Sequence, residues 1–515
     1  MNLLRVLVTV SGMTLLSRIA GLAREIVQAA LFGATDATDA FGVAFRIPNL
    51  LRRMFAEGAF SQAFVPILGE YKARRGPAET RTLVDDTATV LCWILLGVTV
   101  AGVAAAPLLV WLLGSGLEAR GPVFGEAVIL TRVMFPYILF ISLVAAASGV
   151  LNTWRQFAVP AFTPVLLNVS VIACAVFLTK RVEPPILSLG IGVALGGIAQ
   201  LAIQIPALIR IGMLPRVRLS PARAWSNPAV RRVVRQMVPA ILAVSVAQLS
   251  LVININIATR LGTGAVSWIS YADRLMEFPT ALLGAALATI LTPSLSDARA
   301  RGDDRSYGEL LDWGMRLAFL LALPCALALW LIATPLTATL FQRGLFTAND
   351  VFKTQQAVSA YGVGLLGLIL VKILAPGYYA QQDIRTPVKI GIGVLVATQM
   401  MNVVFVPFLQ HAGLALSTSV GACANALMLY VGLKRRGAIR LQPGWMVFFA
   451  QLGAGLLVLA GVLYLANHEF DWMALAARPW RRTGVLALVV GLGALAYLGT
   501  LVATGLRLSQ FMRKI

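Results

Sequence analysis

The stretch from Thr38 to Pro66, TDAFGVAFRIPNLLRRMFAEGAFSQAFVP, is long enough to cross a bilayer and mostly apolar, yet it carries Asp39, Arg46, Arg52, Arg53 and Glu57. At 100° per residue, Asp39, Arg46, Asn49, Arg53 and Glu57 share an arc of about 80°, and Arg52 lies roughly 60° outside it. A charge at mid-membrane costs at least about 2.5 kcal/mol unless it faces a wet cavity or a partner. Several charges on one helical face therefore predict a hydrated, mostly cationic cavity inside the membrane. The rest of the chain must build the walls of that cavity.

Composition supports the membrane setting. Of 515 residues, 58% are hydrophobic and 13% charged, with a mean hydropathy of +0.81. A soluble chain carries about 25% charged residues, so the fold expected is an all-α, multi-spanning integral membrane protein without a large soluble domain. The net charge of +21 does not point to nucleic acid, because the basic residues sit in short loops between apolar runs, as the positive-inside rule requires. Cys92, Cys174, Cys325 and Cys423 each lie inside an apolar run without metal-ligand spacing, so neither disulfides nor a metal is expected. Met1 to Ala30 is not a cleavable signal, since Arg18, Arg24 and Glu25 interrupt it.

Apolar runs of about 20 residues give fourteen expected spans. Six lie near 4–31, 37–67, 86–113, 124–151, 159–179 and 185–210, and six more near 233–260, 266–296, 313–341, 353–380, 387–408 and 411–433. Two follow near 445–466 and 483–506. Loops after even-numbered spans hold the arginines and lysines, for example Lys72, Arg74 and Arg75, or Lys434, Arg435 and Arg436, so both termini are expected in the cytoplasm. Arg478, Arg481 and Arg482 break the trend on the outer side, which is expected either of residues that snorkel at the interface or of misplaced bounds for the last two spans.

An internal repeat is visible. VPILGEYKARRG (65–76) resembles TPSLSDARARGD (292–303), pairing Pro66 with Pro293 at an offset of 227; Pro107 pairs with Pro335 at 228 and Pro160 with Pro387 at 227. Six spans per copy preserve orientation, which predicts two six-helix lobes about an axis along the membrane normal, with the binding site between them. The division expected is 1–215 for the first lobe, 216–440 for the second, and 441–515 for two further spans and a cytoplasmic tail.

The first span has its own polar stripe, in which Ser11, Thr14, Ser17, Arg18, Gly21, Arg24 and Glu25 fall within about 140° of surface. Span 7 offers Gln248, Asn254 and Asn256, and span 8 opens with Asp273, Arg274 and Glu277, the last two on one face. Structural ion pairs or snorkelling at helix ends account for Asp273, Arg53 and Arg46 as well as a binding role does. Arg18, Arg24, Arg52 and Arg274, from three helices, exceed what nearby carboxylates need, and surplus guanidinium in a sheltered cavity suits a phosphate or pyrophosphate. Gly58, Gly149, Gly284, Pro239 and Pro279 lie inside spans, where they serve close packing or hinging. Asp85 and Asp86 read as a solvated helix start. No Walker-type phosphate loop and no metal cluster is present, and the histidines are only His411 and His468.

These stretches, together with SRIAGLARE (17–25), GVLNTWRQFAVPAF (149–162), SWISYADRLMEFP (267–279), QDIRTPVKI (382–390) and PGWM (443–446), closely resemble the MurJ (MviN) family of lipid II flippases, within the multidrug/oligosaccharidyl-lipid/polysaccharide exporter superfamily. The resemblance covers nearly the whole chain in order. It implies a fourteen-helix fold with a central cationic cavity, and a groove at the last two helices suited to a polyprenyl tail. It places the cavity residues on Arg18, Arg24, Asp39, Arg52, Arg274 and Glu277, with Glu25 where relatives can have Asp; it favours Arg52 where the helical wheel alone selects Arg53, and both stay candidates. The sodium site that some relatives build from carboxylates lacks them here, because spans 7 and 11 offer Gln248, Gln399 and Asn402 instead.

The function expected is transport of an undecaprenyl-pyrophosphate disaccharide–pentapeptide from the cytoplasmic to the periplasmic leaflet of the bacterial inner membrane by alternating access. No cofactor, metal or nucleic acid is expected. Lipid II and membrane lipids are the expected partners, the cell-wall synthesis machinery a further one, and the monomer the working unit. An exporter of drugs or another polyprenyl-linked glycan, coupled to a cation, stands as the alternative. A glycosyltransferase would need a positioned carboxylate and a sizeable outer loop, and a passive scaffold would tolerate loss of the arginines.

Overall fold

The computed structural model describes residues 3–52, 60–439 and 441–506, and the side chains of these except 3–11, 62, 238–247, 285, 286 and 289. The described residues are helical with short connections, and no strand occurs among them. Two compact units divide the chain, Met1–Val266 and Ser267–Ile515.

The first unit contains α1 (Leu3–Phe32), α2 (Asp36–Arg52), α3 (Ser61–Arg74), α4 (Gly76–Ala104), α5 (Ala106–Gly114), α6 (Val123–Met134), α7 (Tyr137–Thr153) and α8 (Ala158–Leu178). It continues with α9 (Leu187–Ala202), the short α10 (Ile205–Arg210) and α11 (Pro221–Trp225), and α12 (Pro228–Thr259). Its main seams are α8 on α9, α1 on α8 and α2 on α6. The second unit contains α13 (Ala265–Pro279, straddling the division), α14 (Ala285–Ala300), α15 (Asp304–Leu331), α16 (Ala333–Phe341), α17 (Ala348–Ala380), α18 (Arg385–Leu409), α19 (His411–Arg435), α20 (Trp445–Glu469) and α21 (Pro479–Ala503). There α17 packs on α19 and α15, and α20 pairs with α21. A buried cluster of Leu320, Phe448, Leu452, Leu459 and Leu501 ties α20 and α21 to α15, reinforced by a 2.8 Å hydrogen bond from the Tyr497 hydroxyl to the Leu320 carbonyl.

Ten described helical segments are long and apolar enough to cross a membrane, and they coincide with expected spans 3 to 6 and 9 to 14. Expected spans 1, 2, 7 and 8 correspond to α1, to α2 with α3, to α12, and to α13 with α14. These four carry charged or amide side chains. Packing places α12 in the first unit, while the repeat counts it with the second copy. Contacts and ancestry divide the chain at different points.

The repeat extends into backbone geometry. Arg155 and Gln382, 227 residues apart, both adopt left-handed backbone, with φ of 59° and 58°. Gln156 N–H donates to the Leu151 carbonyl (2.8 Å) and Asp383 N–H to the Tyr378 carbonyl (3.0 Å), so α7 and α17 end alike. Pro107 and Pro335 stand near the starts of α5 and α16, each just after a break in its span. Proline has no N–H to donate, and the first turn of a helix is where that omission costs least.

Two sequence expectations are corrected by packing. Asp85 and Asp86 are buried, not solvated. Asp85 accepts from the Arg216 N–H at 2.9 Å, and Asp86 from Arg218 and Asn227, each at 3.0 Å, so together they pin the linker before α12 onto α4. Arg482 does not snorkel; it is fully buried and donates Nη1 to Gln342 Oε1 at 2.7 Å and Nη2 to the Gln342 carbonyl at 3.2 Å. Gly149 packs against Val65 and Phe64, as a close-packing residue does. Gly58 and the Pro239 side chain lie outside the described residues.

Candidate functional site

In the first unit the polar stripe of α1 divides. Gly21 lets α1 approach α8 closely, where Asn168 Nδ2 reaches the Pro164 carbonyl (3.2 Å) and the Ser17 carbonyl (3.4 Å). One helical turn on, Arg24 is 9% exposed, bonds Glu25 Oε1 through Nη2 at 2.6 Å, and lies 5.5 Å over the Phe45 ring of α2. Its Nε is buried without a hydrogen-bond partner among the described residues. A buried donor in that condition is costly unless something accepts from it. Arg18 is exposed and, among the described residues, meets no carboxylate.

On α2, Arg52 donates Nε and Nη2 to Asn49 Oδ1, at 3.2 and 2.9 Å, one turn back. Arg46 is half-buried on the same helix. Arg53 and Glu57 lie outside the described residues.

Asp39 is fully buried and belongs to a different cluster. Its Oδ2 accepts from Arg120 Nη1 at 2.9 Å and from the Gly264 N–H at 2.8 Å. Arg120 also bonds Asp36 (3.2 Å) and the carbonyls of Thr259 and Gly262, and Thr263 Oγ1 donates to Asp36 at 2.8 Å. Three connections, those before α2, after α5 and before α13, thus meet on one guanidinium. The close approach needs Gly116, where a Cβ would sit 2.6 Å from the Thr259 backbone.

In the second unit Arg274 Nη1 bonds Glu277 Oε2 at 2.9 Å, and both side chains are partly exposed, 34% and 48%. The pair sits two residues before Pro279 and the wide π-helical turn Thr280–Gly284 that joins α13 to α14.

The structure therefore brings together Arg24 with Glu25, Arg52 with Asn49, and Arg274 with Glu277, and gives Asp39 to Arg120. Sequence reasoning passed over Arg120 and Lys372. Each carried a signal: Arg120 is an arginine in a loop on the positive-poor side, and Lys372 is the one charge between 354 and 380 in α17. No group of three or more His, Cys, Asp or Glu suited to a metal occurs among the described residues. Chemically, the arrangement offers guanidinium groups, those of Arg24, Arg52 and Arg274 steadied by a polar neighbour, within apolar helices. Guanidinium groups placed in this way can hold oxyanions.

Comparison with known proteins bears on the family and the fold. The profile of the family described as lipid II flippase MurJ matches residues 28–478. A lipid II flippase MurJ of Burkholderia cenocepacia is 56% identical over 514 residues, covering 100% of both chains. A probable lipid II flippase MurJ of Vibrio cholerae serotype O1 is 40% identical over 519 residues, 99% of this chain and 97% of that one. A solved lipid II flippase MurJ in an inward closed conformation has a TM-score of 0.80 over 95% of this chain and 97% of that one, at 23% identity. An inward-facing multidrug resistance MATE family transporter of the MOP superfamily scores 0.68 over 83% and 97%, at 14% identity. At those identities the two solved structures speak for the fold alone.

Proposed function

Because the chain belongs to the lipid II flippase MurJ family, it is a lipid II flippase and not an enzyme, and we propose that its sheltered arginines hold the pyrophosphate of lipid II while the headgroup crosses the membrane. It acts in peptidoglycan synthesis at the bacterial inner membrane, with lipid II and membrane lipids as its partners. The observation that carries the residue assignment is Arg24, buried with an unsatisfied Nε beside Glu25 and Phe45. A pyrophosphate oxygen supplies the acceptor that this nitrogen lacks.

Arg24, Arg18 and Arg52 in the first lobe and Arg274 in the second receive the anion, with Arg53 as a further cation of the same stretch. Glu25 and Glu277 hold their arginines in the absence of substrate and give way to it. Each glutamate keeps its guanidinium extended and ready, so little side-chain entropy is lost on binding. Asp39 serves indirectly, fixing the start of α2 through Arg120. The two lobes, 1–215 and 216–440, expose the site alternately to the two faces, both termini stay in the cytoplasm, and the tail of the lipid remains in the bilayer beside 441–515. A cationic drug has the wrong sign for this site.

The deciding experiment combines complementation of a flippase-depleted strain with lipid II translocation in proteoliposomes. Arg24→Ala with Arg274→Ala should abolish both while the protein still reaches the membrane. Full translocation by that double variant would sink the assignment.

A further inference from the structure

Lys372 takes no part in the mechanism above, and its placement is unusual. It is the one charged residue from 354 to 380 in α17, eight residues before the helix end at Ala380, or about 12 Å along the axis. An ionisable group inside a span is retained only where something uses it. A snorkelling lysine would stretch along its own helix toward the interface. This one crosses to its neighbour instead. A Cβ built on Gly284 would lie 2.6 Å from Lys372 Cδ, 3.5 Å from Cε and 3.6 Å from Nζ, so the stem and the ammonium both occupy the notch that the glycine leaves.

Gly284 closes the π-helical turn that follows Pro279. A proline withdraws one backbone donor and a π turn displaces others, leaving carbonyls that a regular helix would cover. The Lys372 stem fills the notch beside this irregular turn, so the lysine and the turn pack as one unit. The repeat singles out the same point. At the offset of 227, Gly284 corresponds to Glu57 and Lys372 to Ala145, so the second copy has a glycine where the first has an acid, and a base where the first has an alanine.

We infer that Lys372 is a positioning residue for transport: from α17 it fixes the bend between α13 and α14, and through the bend the placement of the Arg274–Glu277 pair. The transport part of this inference rests on the flippase reading; the coupling of Lys372 to Gly284 does not.

The test uses the full-length protein in detergent and in proteoliposomes. Lys372→Met should keep lipid II capture, read by native mass spectrometry, within about twofold of wild type, yet slow translocation about tenfold or more, as misplacement of a binding group does. Lys372→Arg, which restores a cation with donors, should recover much of the rate. Gly284→Ala should reproduce the Lys372→Met defect by expelling the stem, and should add nothing further to Lys372→Ala, where there is no stem to expel. Hydrogen exchange across 275–284 should rise in Lys372→Met with or without lipid II. Parallel losses of capture and rate would make Lys372 a direct anion contact and overturn the inference, as would unchanged exchange or additive defects at 284 and 372. Wild-type protein that neither captures nor moves lipid II would overturn the function proposed above, while the exchange result and the 284–372 cycle would still decide this one.

Discussion

Among single residues, Asp39 best separates what a helical wheel can and cannot tell. The wheel groups Asp39 with Arg46 and Arg53, because periodicity knows only the residue's own helix. Its partner Arg120 stands 81 residues away in a loop, and nothing in either local sequence fixes that closure. Arg274 with Glu277 was readable, since the two lie one turn apart on one face. The Arg120 side chain is 11% exposed, so removing a carboxylate from it strands a mostly buried charge. Asp39→Ala should cost about 2–4 kcal/mol, less than the extreme for a fully buried pair because Asp36 remains. Asp39→Asn should cost less, since its amide oxygen can still accept from the Gly264 N–H. Adding Arg120→Ala to Asp39→Ala should lose at least about 1 kcal/mol less than the sum of the single losses. Unfolding in detergent measures all four; strict additivity would mean that the two side chains do not act together.

Whole elements were more legible than their ends. Spans 5, 6 and 10 to 14 fall within a few residues of where hydropathy puts them, because length and apolar content alone define a crossing. The breaks at Ala105 and Ile332 were legible only as repeating prolines, and the π turn after Pro279 only as a suspected hinge. The connection from α17 to α18 shows what a loop adds. Asp383 accepts from the Thr386 hydroxyl at 2.6 Å, the Thr386 N–H at 3.0 Å and Arg436 Nη2 at 2.7 Å, and so joins the starts and ends of three helices. The Thr386 bonds first, and then Arg436, hold its carboxyl well below the ordinary carboxylate range. A carboxylate with a depressed folded-state pKa stabilises the protein above its unfolded value, near 3.9, and loses that contribution as pH falls through the lower folded one. The difference in melting temperature between wild type and Asp383→Asn should therefore stay constant from about pH 8 to pH 5 and shrink below about pH 4. A gap that already closes near pH 6 would show that another group governs this junction.

At the scale of the molecule, net charge and repeat direct attention to the same asymmetry. The described cations of the first copy, Arg18, Arg24, Arg46 and Arg52, outnumber those of the second, where Arg274 and Lys372 stand on the elements equivalent to spans 2 and 4. A carrier with fixed cations in one lobe is electrically close to neutral when its anionic substrate is aboard and positive when empty. The field then acts chiefly on the empty leg of the cycle. Two pyrophosphate charges leaving a negative interior gain roughly 4.6 kcal/mol per 100 mV over the whole cycle in the limit of full transfer, and with a near-neutral loaded site that gain is delivered as the empty cationic site is drawn back inward. On the proposed reading the cycle as a whole favours export without a coupled ion, which suits a chain whose spans 7 and 11 hold amides where a carboxylate cation site would be. In proteoliposomes loaded with lipid II, a potassium diffusion potential of about 100 mV, negative on the cytoplasmic side, should raise the outward rate several-fold, and reversing its sign should lower it. Arg274→Lys, which keeps the charge but not the two-pronged donor geometry, should weaken lipid II binding and leave that voltage ratio intact. Rates indifferent to the sign of the potential would require a different energy source, and with it a cation site that these residues do not supply.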